Sequence, residues 1–252
     1  MNITKKRTEA TLTINQLTTD FQSQLSNDNF VLLSSNDIDE KNEFTHDQIE
    51  EFKDFWNYLE LDPYMPDGGK YRMRRIGYLS YNLVTKSLEP LTENVAFVQS
   101  KSINKFVGDV ERVFEPSKKE FLESKLLESI IKYVIENVLT LSNITTSEIK
   151  INVHQMRIKA SYGAIGLPTP EGIHQDGHKF VSQHLISRKE ISGGISGLYD
   201  LNEDPLIHKQ LFNFLDTIVV SDEHVKHDVS PIYSFSNMEG GYRDMLIIDY
   251  NL

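Results

Sequence analysis

The chain contains no cysteine. That single absence excludes structural disulfides, thiolate zinc sites, iron–sulfur ligation and a cysteine nucleophile. It suits a reducing compartment, so a cytoplasmic protein is expected. Positive charge is also in deficit: 26 Lys and Arg stand against 37 Asp and Glu, a net charge of −11 over 252 residues. A surface of that sign repels phosphate backbones and anionic lipid. The one dense basic run, Lys70 to Arg75, is short, so no nucleic-acid partner is expected. No run of about 20 apolar residues is present to span a membrane, and none is expected to. Met1 to Ala10 is polar and lacks the apolar core of a secretory signal, so the sequons at Asn2 and Asn143 read as chance matches. A dinucleotide-binding glycine fingerprint is missing as well. Gly193-Gly194-Ile195-Ser196-Gly197 has neither the order nor the following helix, and suits close backbone packing or a bulge instead.

Bulky core material is plentiful, with 13 Phe, 11 Tyr and 39% hydrophobic residues, enough for one well-buried domain over residues 1–252. Residues 1–20 are polar and read as a loose arm or a weak strand. Asn29 to Leu33 reads as a short strand. Thr45 and Gln48 form a capping box, and Ile49, Phe52, Phe55, Trp56 and Leu59 follow at helical spacing. Proline and glycine in Asp62 to Gly69 then set turns. Tyr71 to Val84 reads as a strand with arginines on both faces, so that at least one is placed to point inward. Lys118 to Leu139 carries the clearest helical stripe. From Ile149 the period becomes two, and short strand-like segments recur to Tyr250, separated by Gly, Pro and Asp. Many short strands at near-regular spacing predict a sandwich or barrel. The fold class expected is mostly β with flanking helices, and residues 149–250 are the core strands that carry the site.

His174-Gln175-Asp176 is the most informative stretch. An imidazole and a carboxylate two residues apart on an extended segment share a face. His227 lies about 50 residues further on, within His227-Asp228-Val229-Ser230-Pro231, and Arg243 precedes the apolar run Met245 to Ile248. Two imidazoles and one carboxylate with open positions remaining form the facial triad that suits non-haem Fe(II): a bidentate 2-oxo acid takes two positions and dioxygen the third. Arg243 offers a planar fork for the distal carboxylate of 2-oxoglutarate; its alternative is a salt bridge to Asp244 or Asp249. His224 competes with His227 as a ligand. His178 is four residues from His174 as in a zinc helix, but Gly172 and Gly177 oppose a helix there and the glutamate such a motif needs is missing. His154 and His184, in strand-like runs, read as buried or supporting histidines.

These residues keep company that is more specific than the triad alone. Tyr71-Arg72-Met73-Arg74-Arg75, Gln99 with Asn104, Arg112-Val113-Phe114-Glu115-Pro116, His154-Gln155-Met156-Arg157, His174-Gln175-Asp176-Gly177, Gly193-Gly194, His227 to Pro231 and Arg243-Asp244-Met245-Leu246 occur in that order. Over roughly residues 60–250 the chain resembles the iron(II)/2-oxoglutarate-dependent dioxygenases, and within them the bacterial branch that hydroxylates free L-amino acids, the L-isoleucine hydroxylases among them. The resemblance implies a double-stranded β-helix (jelly-roll, cupin-like) core. It implies iron held by His174, Asp176 and His227, 2-oxoglutarate anchored by Arg243, and conversion of 2-oxoglutarate to succinate and carbon dioxide as an unactivated C–H is hydroxylated. Many relatives carry a hydroxyl two residues after the anchoring arginine. Here that position is Met245, so a second contact is sought elsewhere, at Ser182 or a tyrosine.

A free amino acid carries opposite charges on its α-carbon. Its carboxylate calls for an arginine and its ammonium for acidic or carbonyl oxygens. Arg74, Arg75 and Arg157 are the candidates for the carboxylate, with Gln155 on the face of Arg157. Arg112 serves equally well as an anchor for the loop at Phe114. The expected substrate is an aliphatic amino acid of the Leu, Ile or Met type. Alternatives are the same chemistry on a peptide or carrier-bound residue, and a metal-binding cupin without oxygenase activity.

Overall fold

The computed structural model describes residues 14–39, 44–65, 67–91, 111–141, 146–236 and 238–251, with side chains from residue 20 onward. Residues 1–13, both sequons, and the blocks at Phe97 to Ser100 and Asn104 lie outside the described residues. In chain order the elements are α1 (Ile14–Asp28), β1 (Phe30–Leu33), α2 (Ser35–Ile38), α3 (His46–Asp54), β2 (Glu60–Leu61), β3 (Arg72–Asn82), β4 (Leu88–Pro90), α4 (Lys119–Leu122) and α5 (Lys125–Val138). Strands β5 (Glu148–Ala160), β6 (Phe180–Lys189), β7 (Ile191–Gly193), β8 (Ile195–Tyr199), β9 (Pro205–Gln210), β10 (Thr217–Ser221), β11 (Lys226–Val229), β12 (Ile232–Ser234) and β13 (Gly241–Asn251) follow.

The strands make a jelly roll. One large antiparallel sheet runs β1-β10-β6-β13-β5-β3-β2, with β4 on β3. The opposing layer is the three-stranded β11-β8-β9 and the pair β12-β7. Strands β1 to β4 belong to the large sheet, so the sheet reaches beyond the expected 149–250. Alternation of side chains then divides the large sheet into two faces. Ile151 and Val153 of β5, Phe180 and Ile186 of β6, and Leu246, Ile248 and Tyr250 of β13 join a core with α1, α3 and α5. The opposite face turns Val181, Leu185 and Met245 toward Leu198 of the small layer, while Ile158 and Ala160 meet Ile191 and Ile232 at the other end. The functional cavity lies between these two clusters.

Two elements differ from their sequence expectation. Residues 14–20, expected in a loose arm or strand, begin α1 instead, whose Phe21 and Leu25 are buried in the helical layer. The long helix expected over 118–139 is divided into α4 and α5. Ser124 adopts extended backbone and its hydroxyl accepts from Leu127 N, so it caps a new helix rather than continuing the old one. The capping box at Thr45 and Gln48 forms as expected.

Candidate metal and cosubstrate site

His174, Asp176 and His227 come together although their elements are remote in sequence. His174 lies outside the regular strands. It makes an isolated antiparallel bridge with His227 of β11, its N–H donating to the His227 carbonyl at 3.0 Å and its carbonyl accepting from the His227 N–H at 2.8 Å. That pairing sets the two imidazoles side by side, ring centroids 4.4 Å apart. Asp176 Oδ1 is 3.6 Å from His174 Nε2 and Asp176 Oδ2 is 3.3 Å from His227 Nε2. All three donor atoms lie within 4.8 Å of one another. Neighbouring ligands on an octahedral ion at about 2.1 Å stand roughly 3 Å apart, and the two Asp176 contacts, at 3.6 and 3.3 Å, are close to that separation. His174 Nδ1–H donates to the Gly172 carbonyl at 2.9 Å, which fixes the tautomer and leaves Nε2 for the metal.

The turn bearing Asp176 is held by a residue that sequence reasoning missed. Buried Asp222, just after β10, accepts from the backbone N–H of Asp176 at 3.0 Å, Gly177 at 2.7 Å and His178 at 3.1 Å. Gln175 Nε2 donates to the Asp222 carbonyl. Asp222 Oδ1 also stands 4.0 Å from His227 Nδ1, a buried nitrogen with no hydrogen-bond partner among the described residues. A lone acid between two strands carries no sequence signal of such a role. Electrostatics agree with a cation site. Burial works against the Asp176 carboxylate, but His227 and His174 hold it well below the usual range. Burial works against the His174 imidazolium, yet Asp176 and Glu171 raise it to about 9. A divalent ion would replace that proton.

The triad opens into a cavity of about 970 Å³, counting its mouth, walled by the inward face of β3, β5, β6 and β13. Arg243 lines it and is buried. The expected alternatives for Arg243 do not form, because both carboxylates are committed elsewhere. Asp244 receives Arg157 Nε at 2.6 Å and Nη2 at 2.8 Å, and Asp249 takes His154 and His178 at 2.8 and 3.1 Å. Arg243 reaches only Ser196 Oγ, at 3.5 Å, and its Nε is unsatisfied among the described residues. Burial, with Arg188 nearby, lowers its guanidinium to about 10. A buried cation without an anion is costly; a dianionic acid bound in the cavity would relieve it. Gly194, at φ +68°, lets this side chain pass: a Cβ there would stand 3.0 Å from Arg243 Cδ. The close backbone packing expected of the glycine pair is at Gly193, where a Cβ would run into the Pro231 carbonyl.

The substrate candidates divide by sheet face. Arg74 lines the cavity with Arg72 and Arg112. Arg75 points the other way, donating to the carbonyls of Tyr58 and Pro116 and flanked by Glu60 and Glu115. Arg157, bound to Asp244, lies over the Tyr242 ring outside the cavity. Gln155 is buried beside Val153 on the helical face of β5, and it is His154, Met156 and Ile158 that enter the cavity. Arg75, Arg157 and Gln155 are therefore not brought to the site; a period of two identifies sets that share a face but not which set faces inward. Ser182, the expected second cosubstrate contact, bonds to His184 at 2.8 Å and Tyr250 at 3.1 Å on the helical face, while its neighbour Gln183 lines the cavity. His224 pairs with Ser221 at 3.1 Å and is no rival ligand.

Arg74 is aimed by a buried chain. Its Nη2 donates to His154 Nδ1 at 2.7 Å, and His154 Nε2 meets Asp249 at 2.8 Å. A guanidinium only donates, so Nδ1 carries the lone pair and Nε2 the proton. Burial, outweighing Asp249, lowers the His154 pKa and favours that neutral form.

The sequence model of the 2OG-Fe dioxygenase family matches residues 53–249. The chain is 25% identical to the 3(1)-hydroxy-L-isoleucine 4-dioxygenase of Pantoea ananatis, covering 81% of each protein. It is 26% identical to the L-isoleucine-4-hydroxylase of Bacillus thuringiensis, covering 86% of this chain and 88% of that one. Among solved structures it is similar to a BsmA homologue from Methylobium petroleophilum, with a TM-score of 0.85 and 26% identity over 93% of this chain and 92% of that one. The IDO structure from Bacillus thuringiensis follows at a TM-score of 0.75 and 20% identity, covering 98% and 99%.

Proposed function

Because the chain belongs to the 2OG-Fe dioxygenase family, a family of iron- and 2-oxoglutarate-dependent enzymes, we propose that it hydroxylates an unactivated C–H of a free, aliphatic L-amino acid. One observation carries this reading: the triad, the anion-less Arg243 and the inward Arg74 line one cavity. His174, Asp176 and His227 would hold Fe(II), and Arg243 the distal carboxylate of 2-oxoglutarate. Dioxygen would be the oxidant; Fe(II) and 2-oxoglutarate would supply the electrons that activate it, with succinate and carbon dioxide as coproducts.

The protein's own part is placement. Arg74, steadied by His154 and Asp249, orients the substrate carboxylate. Met156, Met245 and Ile247 give an aliphatic side chain an apolar wall and keep water from the reacting carbon. The names of the isoleucine-acting relatives support the amino-acid class. The decisive assay supplies Fe(II), 2-oxoglutarate and the twenty amino acids singly, following succinate and hydroxylated product. An aliphatic amino acid is expected to give both. Turnover confined to peptide or carrier-bound residues would replace the free-amino-acid reading.

A further inference from the structure

Three carboxylates line the cavity: Asp176, Asp249 and Glu171. Asp176 belongs to the triad and Asp249 is taken by two histidines. Glu171 has neither role. Its one ionic neighbour among the described residues is His174, whose Nε2 lies 3.7 Å from Glu171 Oε1. That nitrogen is the one turned to the metal, so iron binding removes Glu171's partner. Nor does Glu171 complete the metal cluster, whose mutually close donors come from His174, Asp176 and His227 alone among the described residues. It stands beside the coordination sphere, facing the space a substrate would fill.

The backbone holds it there. Gly172 N donates to the Thr169 carbonyl at 3.0 Å, closing a turn with Glu171 at its third position and Gly172 at φ +78°. The Thr169 hydroxyl ties the turn to β11, accepting from Val229 N at 2.9 Å and donating to Val229 O at 3.2 Å. Pro168 and Pro170 stiffen the segment. Glu171 therefore sits on a platform locked to the strand that carries His227. Its charge is felt by Arg112, which lines the same cavity as Arg74. A carboxylate in one cavity with the guanidiniums of Arg74 and Arg112 offers partners for both charges of an α-amino acid.

Resting on the amino-acid hydroxylase function proposed above, we propose that Glu171 binds the substrate's α-ammonium group and so makes the enzyme select a primary amine beside the carboxylate. The test compares wild type with Glu171→Gln and Glu171→Asp, loaded with Fe(II) and 2-oxoglutarate without oxygen. Calorimetric titration would use L-isoleucine, L-leucine, L-methionine and 3-methylpentanoate, the last being isoleucine without its amine. Wild type should bind at least one of the amino acids and discriminate against 3-methylpentanoate. Glu171→Gln should bind that amino acid about 10- to 100-fold more weakly, the worth of one charge-assisted hydrogen bond. It should lose most of the discrimination while its Fe(II) and 2-oxoglutarate affinities stay unchanged; Glu171→Asp should recover part of the loss. Undiminished amino-acid binding by Glu171→Gln overturns the role of Glu171 alone. Weakened Fe(II) binding overturns it in favour of a metal ligand. Failure of the wild type to bind any of the amino acids overturns the hydroxylase function and this role with it.

Discussion

At the scale of single residues, the site is a matter of which charges find partners. Arg243 is buried with no carboxylate within reach among the described residues, so its replacement should be felt by the cosubstrate. Arg243→Ala is expected to raise KM for 2-oxoglutarate about 100-fold, from the loss of a bidentate ion pair, with little change in KM for the amino acid. Equal changes in both would remove Arg243 from that role. Asp222 acts through others. With three backbone donors and His227 Nδ1 around it, Asp222→Ala should weaken Fe(II) binding about 10- to 100-fold in an anaerobic titration while the fold persists. The triad was legible in sequence because His174-x-Asp176, a histidine about 50 residues on and Arg243 before an apolar strand occur together in a β-rich context. Asp222 was not, because a carboxylate that accepts backbone N–H bonds from another loop looks like any other acid. Glu171 was hidden for the same reason: nothing in the sequence separates it from the other acids, and only the fold places it on the cavity wall beside His174.

At the scale of elements, the sheet's alternation decides which candidates reach the cavity. The spacing of Arg72 and Arg74 against Met73 and Arg75 is plain in the sequence. The side on which the helices pack is not, so Arg75, Arg157 and Gln155 could be nominated alongside Arg74 with equal cause. Helix α1 was legible in retrospect: Ile14, Leu17, Phe21 and Leu25 recur at helical spacing, but the polar residues between them obscure it. The helical layer also mends the sheet. Strand β13 shifts register against β6 between Asp244 and Met245, and the single tryptophan, Trp56, donates its indole N–H to the carbonyls of Met245 and Met156, both at 3.2 Å. Trp56→Phe leaves those oxygens buried without that donor and is expected to cost about 1–3 kcal/mol of unfolding free energy. Urea denaturation measures this, and a loss below about 0.5 kcal/mol would show that the bond adds little.

At the scale of the whole molecule, the two faces of the large sheet carry different kinds of polar group: a reactive set toward the cavity and a structural set under the helices. His184 belongs to the second, bonded to Ser182 and Thr217, and burial lowers it to about 3. An unfolded histidine takes its proton near pH 6.5. Between about pH 3 and 6.5 the unfolded chain therefore binds more protons than the folded one at this residue. Its contribution to stability is complete above about 6.5 and falls as the solution is acidified, by up to about 1.4 kcal/mol per pH unit. In metal-free protein, His184→Gln should flatten the decline of unfolding free energy between about pH 6 and 4; an unaltered slope would exclude His184 as its source.

The proposed chemistry requires that the triad leave half of a metal's coordination sphere to other ligands, and an anaerobic crystal structure with Fe(II) and 2-oxoglutarate tests this most directly. The predicted result is a metal bound by His174, Asp176 and His227 alone among the protein's side chains, with 2-oxoglutarate on the metal and its distal carboxylate on Arg243. Glu171 entering the coordination sphere as a fourth protein ligand, or the cosubstrate carboxylate bound away from Arg243, would contradict it.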